Sequence, residues 1–183
     1  ERLRFALTHS LPDWLATRLM SEPGLDAQAF ASAINDRAPL TLRANRLKTD
    51  RERLIAKLAT PSAGAPAGLS PEPTRWAGDG LTLGARVNVF GLPEFKDGLF
   101  EVQDEASQLV AELTAPPVHG LVVDVCAGAG GKTLALGALM RNKGRLVAMD
   151  MAKHKLEELT RRARRAGLTN HRWMVIDPEG DLP

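Results

Sequence analysis

The sequence predicts an α/β fold in which a small α+β domain precedes the first three strands of a parallel, helix-covered sheet. After residue 98, short apolar runs alternate with helix-like segments, which is typical of buried parallel strands joined by helices. Before residue 98, segments in which apolar and polar residues alternate, as in strands, occur together with amphipathic, helix-like segments. A stretch rich in Pro, Ala and Gly between Thr60 and Thr74 indicates a surface loop. We therefore expect two domains, residues 1–98 and 99–183.

The first domain is expected to combine helices and strands. "HSLPDWLATRLM" predicts a short helix with Ser10 as its N-cap, and "DRERLIAKLA" predicts a second helix with its apolar residues on one face. "APLTLRANRL" alternates apolar and polar residues, which favours a strand. "GLTLGARVNVFG" indicates strands that are interrupted at a glycine.

The second domain begins with a short strand and a helix in "FEVQDEASQLVAELTAP". The segments that follow alternate between strand and helix, in the order "LVVDV", "TLALGALM", "RLVAMD", "KHKLEELTRRARRAG" and "RWMVID". The first of these helices is almost entirely apolar, as expected beneath a sheet, whereas the second has an apolar stripe and ends at Gly167.

Composition excludes some classes of protein. The 183 residues carry 24 basic and 22 acidic side chains, and the basic excess lies after residue 120, which mildly favours a polyanionic partner for that half. A single cysteine excludes an internal disulfide and a CxxC zinc site. No apolar run is long enough for a membrane span and no signal peptide opens the sequence, so we expect a cytoplasmic, monomeric protein.

The most informative stretch is "DVCAGAGGKTLALG", Asp124 to Gly137, which follows the first parallel strand. Ligands of parallel α/β sheets bind beyond the carboxyl ends of the strands. The glycines of this loop allow tight turns and a close approach to a ligand, and the amides that open the next helix can meet polar or negative groups. Asp124 is expected to fix the loop backbone rather than to contact substrate.

Two further acids end the next two strands. Asp150 ends "RLVAMD" and lies 19 residues after Gly131, near the spacing at which an acid receives ribose hydroxyls. Asp177 ends "RWMVID", where it could contact a base. Both could instead be helix caps or turn residues, but their position beside a glycine loop favours ligand binding.

The glycine loop resembles a phosphate-binding loop only in its last residues. The pattern G-x-x-x-x-G-K-[ST] requires glycine at position 126, where this sequence has Cys126. The dinucleotide pattern G-x-G-x-x-G fails at Thr133. The remaining pattern is of the S-adenosylmethionine type, and a nucleotide triphosphatase stays the less favoured alternative. Cys126 is interpreted as a small buried residue that packs against the sheet rather than as a nucleophile.

These motifs resemble the Sun/nucleolar-protein family of RNA 5-methylcytosine methyltransferases. "VQDEASQLVAELT" followed by "VDVCAGAGGKTLALGALM" is similar to that family's lead-in and cofactor loop, D-x-C-A-A-P-G-G-K-T. "LRANRLKTDRERLIAKLA" resembles the small domain that precedes its catalytic domain, and "SLPDWLATRL" is also similar to the family. The resemblance implies a Rossmann-like methyltransferase fold, S-adenosyl-L-methionine as cofactor, ribosomal RNA as partner and methyl transfer to C5 of cytosine.

The resemblance also implies site residues. Asp150 would hold the ribose, Asp177 would lie by the adenine, and Lys132 would face the reacting base as an assistant to catalysis. The cofactor would be wrapped by the loop residues Cys126, Ala127, Gly128, Ala129, Gly130, Gly131 and Lys132. The loop has Gly128-Ala129 where Ala-Pro is usual, which changes its rigidity because proline fixes φ.

One departure from the family concerns the catalytic cysteines. In the family one thiolate attacks C6 of cytosine and a second cysteine helps release the enzyme, and both follow later strands. The sequence stops at Pro183 without either, so we expect a chain that is truncated before them. The alternative is a non-catalytic relative that binds RNA or another partner.

The remaining expectations concern other basic and aromatic residues and the histidines. RNA contacts in the small domain would include Arg43, Arg46 and Lys48. "RRARR", Arg161 to Arg165, is interpreted as a solvated helix face with intrahelical ion pairs to the preceding glutamates. The three tryptophans are expected in core or partly buried positions, and the four histidines show no metal spacing.

Overall fold

The computed structural model describes residues 1–60, 69–85, 87–177 and 179–180, and the chain divides into two compact units, Glu1–Ala38 and Pro39–Pro183. The first unit contains three helices: α1 (Arg2–Thr8), α2 (Asp13–Ser21) and α3 (Ala27–Asn35). The predicted helix is α2, but its N-cap is Pro12, because Ser10 adopts a left-handed φ of 53° outside the helix.

The second unit begins with a four-stranded antiparallel sheet in the order β2-β3-β1-β4. Its strands are β1 (Leu40–Ala44), β2 (Pro71–Pro73), β3 (Gly80–Leu83) and β4 (Phe100–Val102). The predicted helix α4 (Arg51–Ala59) is present, and the Asp50 carboxylate accepts a hydrogen bond from Arg53 N at 2.8 Å. The core of this region contains Leu42, Leu54, Leu81 and Phe100, which are fully buried.

Two sequence predictions for this sheet need correction. The predicted loop between residues 60 and 74 lies partly outside the described residues, and its last part forms β2. In "GLTLGARVNVFG" only residues 80–83 form a strand, whereas Val89–Gly91 form a 3₁₀ turn that precedes the short helix α5 (Pro93–Lys96). The Asn88 side chain accepts a hydrogen bond from Phe90 N and so favours the turn over a strand.

The parallel sheet is confirmed. Its strands pair in the order β5-β6-β7, with β5 at Leu121–Asp124, β6 at Arg145–Asp150 and β7 at His171–Val175. The connecting helices are α7 (Gly131–Leu139) and α8 (Lys153–Ala166), and α6 (Glu105–Leu113) precedes β5. Fully buried residues of the sheet and its helices, among them Met140, Leu146 and Leu159, form the core of this region.

Strand β4 links the two sheets in sequence. It follows the predicted domain boundary at residue 98, yet it pairs with β1 in the antiparallel sheet. The next helix, α6, is also tied to that sheet, because the buried Gln108 amide donates to Leu42 O at 3.2 Å. The boundary itself stays a prediction. Within the described ranges, no helix is both long and apolar enough to cross a membrane.

Candidate functional site

The glycine loop lies between β5 and α7 and is held by hydrogen bonds at both ends. Thr133, in the first turn of α7, donates through Oγ1 to Asp124 Oδ2 at 2.7 Å. Ala127 N donates to Met149 O at 2.9 Å, and Gly130 N donates to Ala127 O at 2.9 Å. Asp124 therefore ties the start of the loop to the helix that follows it, in keeping with its predicted role.

Two glycines of the loop have left-handed backbone conformations, for different reasons. Gly130 is the N-cap of α7 with φ 87°, and a Cβ placed there would lie 2.7 Å from Cγ of the buried Leu159. Gly128 has φ 53°, but among the described residues no atom beyond its chain neighbours lies within 4 Å of a Cβ placed there. Gly130 therefore allows the loop to pack against α8, whereas Gly128 borders open space.

Asp150 faces this loop from the end of β6. Its Oδ2 accepts a hydrogen bond from Gly128 N at 2.8 Å, and its Oδ1 accepts one from Ala152 N at 2.8 Å. The Ala152 and Gly128 amides lower the pKa of Asp150, so the carboxylate is ionised at neutral pH. Each carboxylate oxygen has a further acceptor site, so Asp150 can position the loop and still receive hydroxyl groups.

Asp177 follows the end of β7 on the same edge of the sheet. Val175 pairs in register with Asp150, and Ile176 N donates to Asp150 O at 3.2 Å. The exposed Asp177 carboxylate accepts a hydrogen bond from Glu179 N at 3.0 Å, which is a turn contact. In the structure Asp177 therefore has the geometry of a turn residue, which was the alternative to ligand binding in the sequence analysis.

Cys126 is not the buried residue that the sequence suggested. Its side chain is exposed, whereas the next residue, Ala127, is buried against the core of the parallel sheet. Lys132, in the first turn of α7, is also exposed.

The sequence analysis did not identify Arg162, which contacts the loop from α8, or Glu101, which pairs with Arg162. Arg162, on α8, donates through Nη1 to Ala129 O at 2.8 Å and through Nη2 to Glu101 Oε2 at 2.9 Å. Arg165 also contacts Glu101, at 2.5 Å. The interpretation of "RRARR" as a solvated face is therefore wrong for these two arginines, because the buried Glu101 carboxylate requires cationic partners. The only sequence signal for this cluster is that an acidic residue, Glu101, lies within a segment that is predicted to be a strand.

The proposed RNA contacts of the small domain have internal partners instead. Arg43 is buried and donates to Gln103 Oε1 at 2.6 Å. Burial lowers the pKa of Arg43 to about 10, which still leaves the guanidinium charged at neutral pH. Arg46 pairs with Asp79, and Lys48 Nζ donates to two backbone carbonyls. Arg43 is thus excluded as a surface contact.

The tryptophans follow the prediction only in part. Trp173 packs against the core of the parallel sheet, and its Nε1 donates to Thr160 Oγ1 at 2.9 Å. Trp14 and Trp76 are exposed instead. Among the described residues, no group of three or more His, Cys, Asp or Glu side chains could hold a metal ion.

Comparisons with known proteins cover both sheets. A family model of the RsmF/B-like ferredoxin-like domain matches residues 11–90, and a model of the 16S rRNA methyltransferase RsmB/F matches residues 111–180. The probable ribosomal RNA small subunit methyltransferase B of Bacillus subtilis is 34% identical over 91% of this chain and 36% of its own length. The human 28S rRNA (cytosine(4447)-C(5))-methyltransferase is 31% identical over 90% of this chain and 20% of its own length.

Solved structures show the same fold. A methyltransferase homolog protein from Pyrococcus horikoshii matches with a TM-score of 0.82 and 28% identity over 94% of this chain and 55% of that chain. NSun6 from the same organism matches with a TM-score of 0.74 at 18% identity, over 96% of this chain and 64% of that chain, which supports the fold alone. The chain spans about a third of the length of the bacterial relatives that it matches.

The two family models match separate stretches that together make up more than half of the chain, and the bacterial and human relatives align over most of it. The order of the matched regions is also the order of the two sheets in the structure. This chain therefore belongs to the RsmB/F family of rRNA methyltransferases.

Proposed function

We propose that this chain supplies the cofactor-binding half of an enzyme that transfers a methyl group from S-adenosylmethionine to C5 of cytosine in ribosomal RNA. The family and the activities for which its relatives are named support this proposal. The chain covers only part of each relative, so the activity of the whole protein is inferred from the family.

The observation that carries the proposal is the pairing of an ionised carboxylate with the glycine loop. Asp150 holds the Gly128 amide, and a Cβ placed on Gly128 would meet no atom of the described residues within 4 Å beyond its chain neighbours. Helix α7 begins without a side-chain cap, so its first-turn amides are available to a polar ligand. A carboxylate, open space and free amides at the carboxyl edge of a parallel sheet fit a nucleoside cofactor.

Each site residue has a role in this proposal. Asp150 would accept hydrogen bonds from the ribose hydroxyls, and Asp177 would lie beside the adenine. The loop from Cys126 to Lys132 would wrap the cofactor, and Lys132 would face the reacting base. The cofactor supplies the activated methyl group. Cys126 lies within this loop, so we assign it to cofactor contact rather than to nucleophilic attack.

The first test is calorimetric binding of S-adenosylhomocysteine by the intact protein and by Asp150→Ala. Loss of paired hydroxyls costs about 1–3 kcal/mol, which corresponds to a roughly 5- to 150-fold weaker affinity. Asp13→Ala, which removes an exposed carboxylate in the separate N-terminal unit, is the matched control and should leave the affinity unchanged.

Asp150 also holds Gly128, so a loss of affinity alone does not identify the ribose as its ligand. An analogue that lacks the ribose hydroxyls separates the two effects. It should bind the wild type more weakly than S-adenosylhomocysteine does, and Asp150→Ala should bind both ligands equally. If the variant still discriminates between them fully, Asp150 does not receive the ribose, and if the wild type binds neither ligand the proposed function is wrong.

A further inference from the structure

We propose that Arg162 is a positioning residue for the cofactor loop and that the buried Glu101 of the antiparallel sheet holds Arg162 in place. The consequence for cofactor binding rests on the proposed function, whereas the effect on the loop itself does not. A strand of the antiparallel sheet, β4, would thereby take part in the candidate cofactor site.

A single guanidinium joins three elements of the second unit. Arg162 Nη1 donates to Ala129 O at 2.8 Å, while its Nε and Nη2 donate to Glu101 Oε2 at 3.2 and 2.9 Å. Ala129 lies in the loop, Arg162 on α8, and Glu101 on β4. Because the guanidinium is planar and rigid, fixing two of its nitrogens on Glu101 also fixes the direction of the third.

Glu101 can fix Arg162 because its own freedom is small. Its side chain is only 4% exposed, and its other oxygen, Oε1, accepts from Arg165 Nη2 at 2.5 Å. On the neighbouring strand, Glu101 lies in register with the buried Arg43. A carboxylate that is buried among cations must keep these partners, since an unpaired buried charge is strongly destabilising.

Helix α8 is anchored to the antiparallel-sheet region close to Arg162. The buried Asn45 amide donates to Gly98 O and Ala166 O, both at 2.8 Å. Lys48 Nζ donates to Asp97 O and Arg165 O, both at 2.7 Å. These side chains satisfy carbonyls in the last turn of α8, which have no partner within the helix. The backbone that carries Arg162 is therefore fixed as well as its side chain.

The loop needs such a contact because of its glycines. Ala129 lies between Gly128 and Gly130, which both have positive φ. Glycine backbones rotate easily, so the Ala129 carbonyl has little intrinsic preference for one direction. The charge-assisted hydrogen bond from Arg162 selects that direction and so restrains the neighbouring amides that Asp150 and Ala127 hold.

Arg165 provides a matched control. Both arginines pair with Glu101, but of the two only Arg162 donates to a loop carbonyl among the described residues. Arg162→Lys and Arg165→Lys each keep one positive charge for Glu101. A lysine ammonium cannot span Glu101 and Ala129 O as a guanidinium does, so only Arg162→Lys should release the loop.

The primary experiment is amide hydrogen exchange by NMR on the intact protein without ligand. In Arg162→Lys the Gly128 and Gly130 amides should exchange roughly 2- to 13-fold faster than in the wild type, as the loss of one hydrogen bond implies. In Arg165→Lys their rates should be unchanged. Equal rates in both variants, whether raised or not, would overturn the inference.

Glu101→Gln keeps the test decisive if Arg162→Lys does not fold. It removes the charge that orients Arg162 without touching the loop, and it should also accelerate exchange at Gly128 and Gly130. Unchanged exchange in this variant would count against the inference. Affinity for S-adenosylhomocysteine should fall in Arg162→Lys but not in Arg165→Lys. If the wild type binds none, the proposed function fails, while the exchange rates still decide the role of Arg162.

Discussion

Substitution of Gly130 by alanine should destabilise the protein by straining the loop and by forcing it away from α8. The residue has φ 87°, and its new Cβ would lie 2.7 Å from Leu159 Cγ and 3.1 Å from Leu159 Cδ1. Leu159 is fully buried in the parallel-sheet core, so it cannot move into solvent. Either the loop or the helix must therefore shift.

The size of the effect follows from two separate costs. A non-glycine residue in the left-handed region costs about 1–2 kcal/mol. Overpacking of a well-packed core adds about 1–3 kcal/mol. Gly128→Ala carries only the first cost, because its φ of 53° is also positive but its Cβ position is open. The two variants should therefore differ by the overpacking cost, a large share of a typical stability of about 5–15 kcal/mol.

The assay is urea unfolding followed by tryptophan fluorescence. Trp173 packs against the same core as Leu159, whereas Trp14 and Trp76 are exposed, so the change in signal should come mainly from Trp173. Leu159→Ala should itself cost about 2–5 kcal/mol, but Gly130→Ala made in that background should cost only the strain of positive φ.

Two outcomes would refute this reasoning. If Gly130→Ala costs no more than Gly128→Ala, the contact with Leu159 does not limit the loop. If removal of the Leu159 side chain leaves the cost of Gly130→Ala unchanged, the loss of free energy arises elsewhere.

Two further predictions concern buried and ionised groups. Asn45→Ala should lower the free energy of unfolding by about 2–4 kcal/mol, because Gly98 O, Ala166 O and Leu47 N each lose a hydrogen bond to the Asn45 side chain. An unchanged midpoint of urea unfolding would contradict this prediction. The pKa of Asp150 is lowered from 3.8, so its ionised form stabilises the fold above that pH and the gain is lost as the pH falls through the lower folded value. The difference in unfolding free energy between wild type and Asp150→Asn should thus be constant near neutral pH and shrink below about pH 3.8. If the difference stayed constant down to about pH 2, the ionised Asp150 carboxylate would not stabilise the fold.

The parallel sheet could be predicted because each of its elements has a local signal. "LVVDV" and "RLVAMD" are continuous apolar runs, and Gly167, with φ 76°, ends α8 as a left-handed C-terminal residue. By contrast, β2 consists of Pro71, Glu72 and Pro73, which are poor strand formers. It exists because β3 offers a partner for it, which no local pattern could show.

The candidate site was predictable to the same extent. The glycine loop and Asp150 are local motifs, and the structure brings them together through the Gly128 amide. Glu101 and Arg162 are separated by about sixty residues and carry no motif, so their ion pair, and the contact of Arg162 with the loop, depend on how α8 lies against β4. Ordinary residue types that reach a site from distant elements leave no signature in one sequence.

Arg43 was expected to contact RNA but is buried, which shows what the alternation of apolar and polar residues in a strand cannot predict. The alternation in β1 correctly places Thr41 and Arg43 on one face and Leu42 on the other. Alternation does not say whether the polar face is covered. In the structure it is, because β1 is a central strand between β3 and β4, and α6 contributes Gln108 to the same region. That helix lies more than sixty residues later in the chain.

A polar strand face that becomes buried has to find partners within the protein, and this requirement explains the cluster around Glu101. Arg43 and Glu101 lie opposite each other in register, and Gln103 accepts from Arg43 Nε. The charge on Arg43 alone would leave Glu101 under-satisfied, since the hydrogen bonds to its carboxylate oxygens come from Arg162 and Arg165 instead. Because this face of the sheet is buried, Glu101 pairs with two arginines of α8. One of them, Arg162, also donates to the loop. Arg43, expected from the sequence to contact RNA, and Arg162 and Arg165, expected on a solvated helix face, therefore belong to one network that reaches the glycine loop.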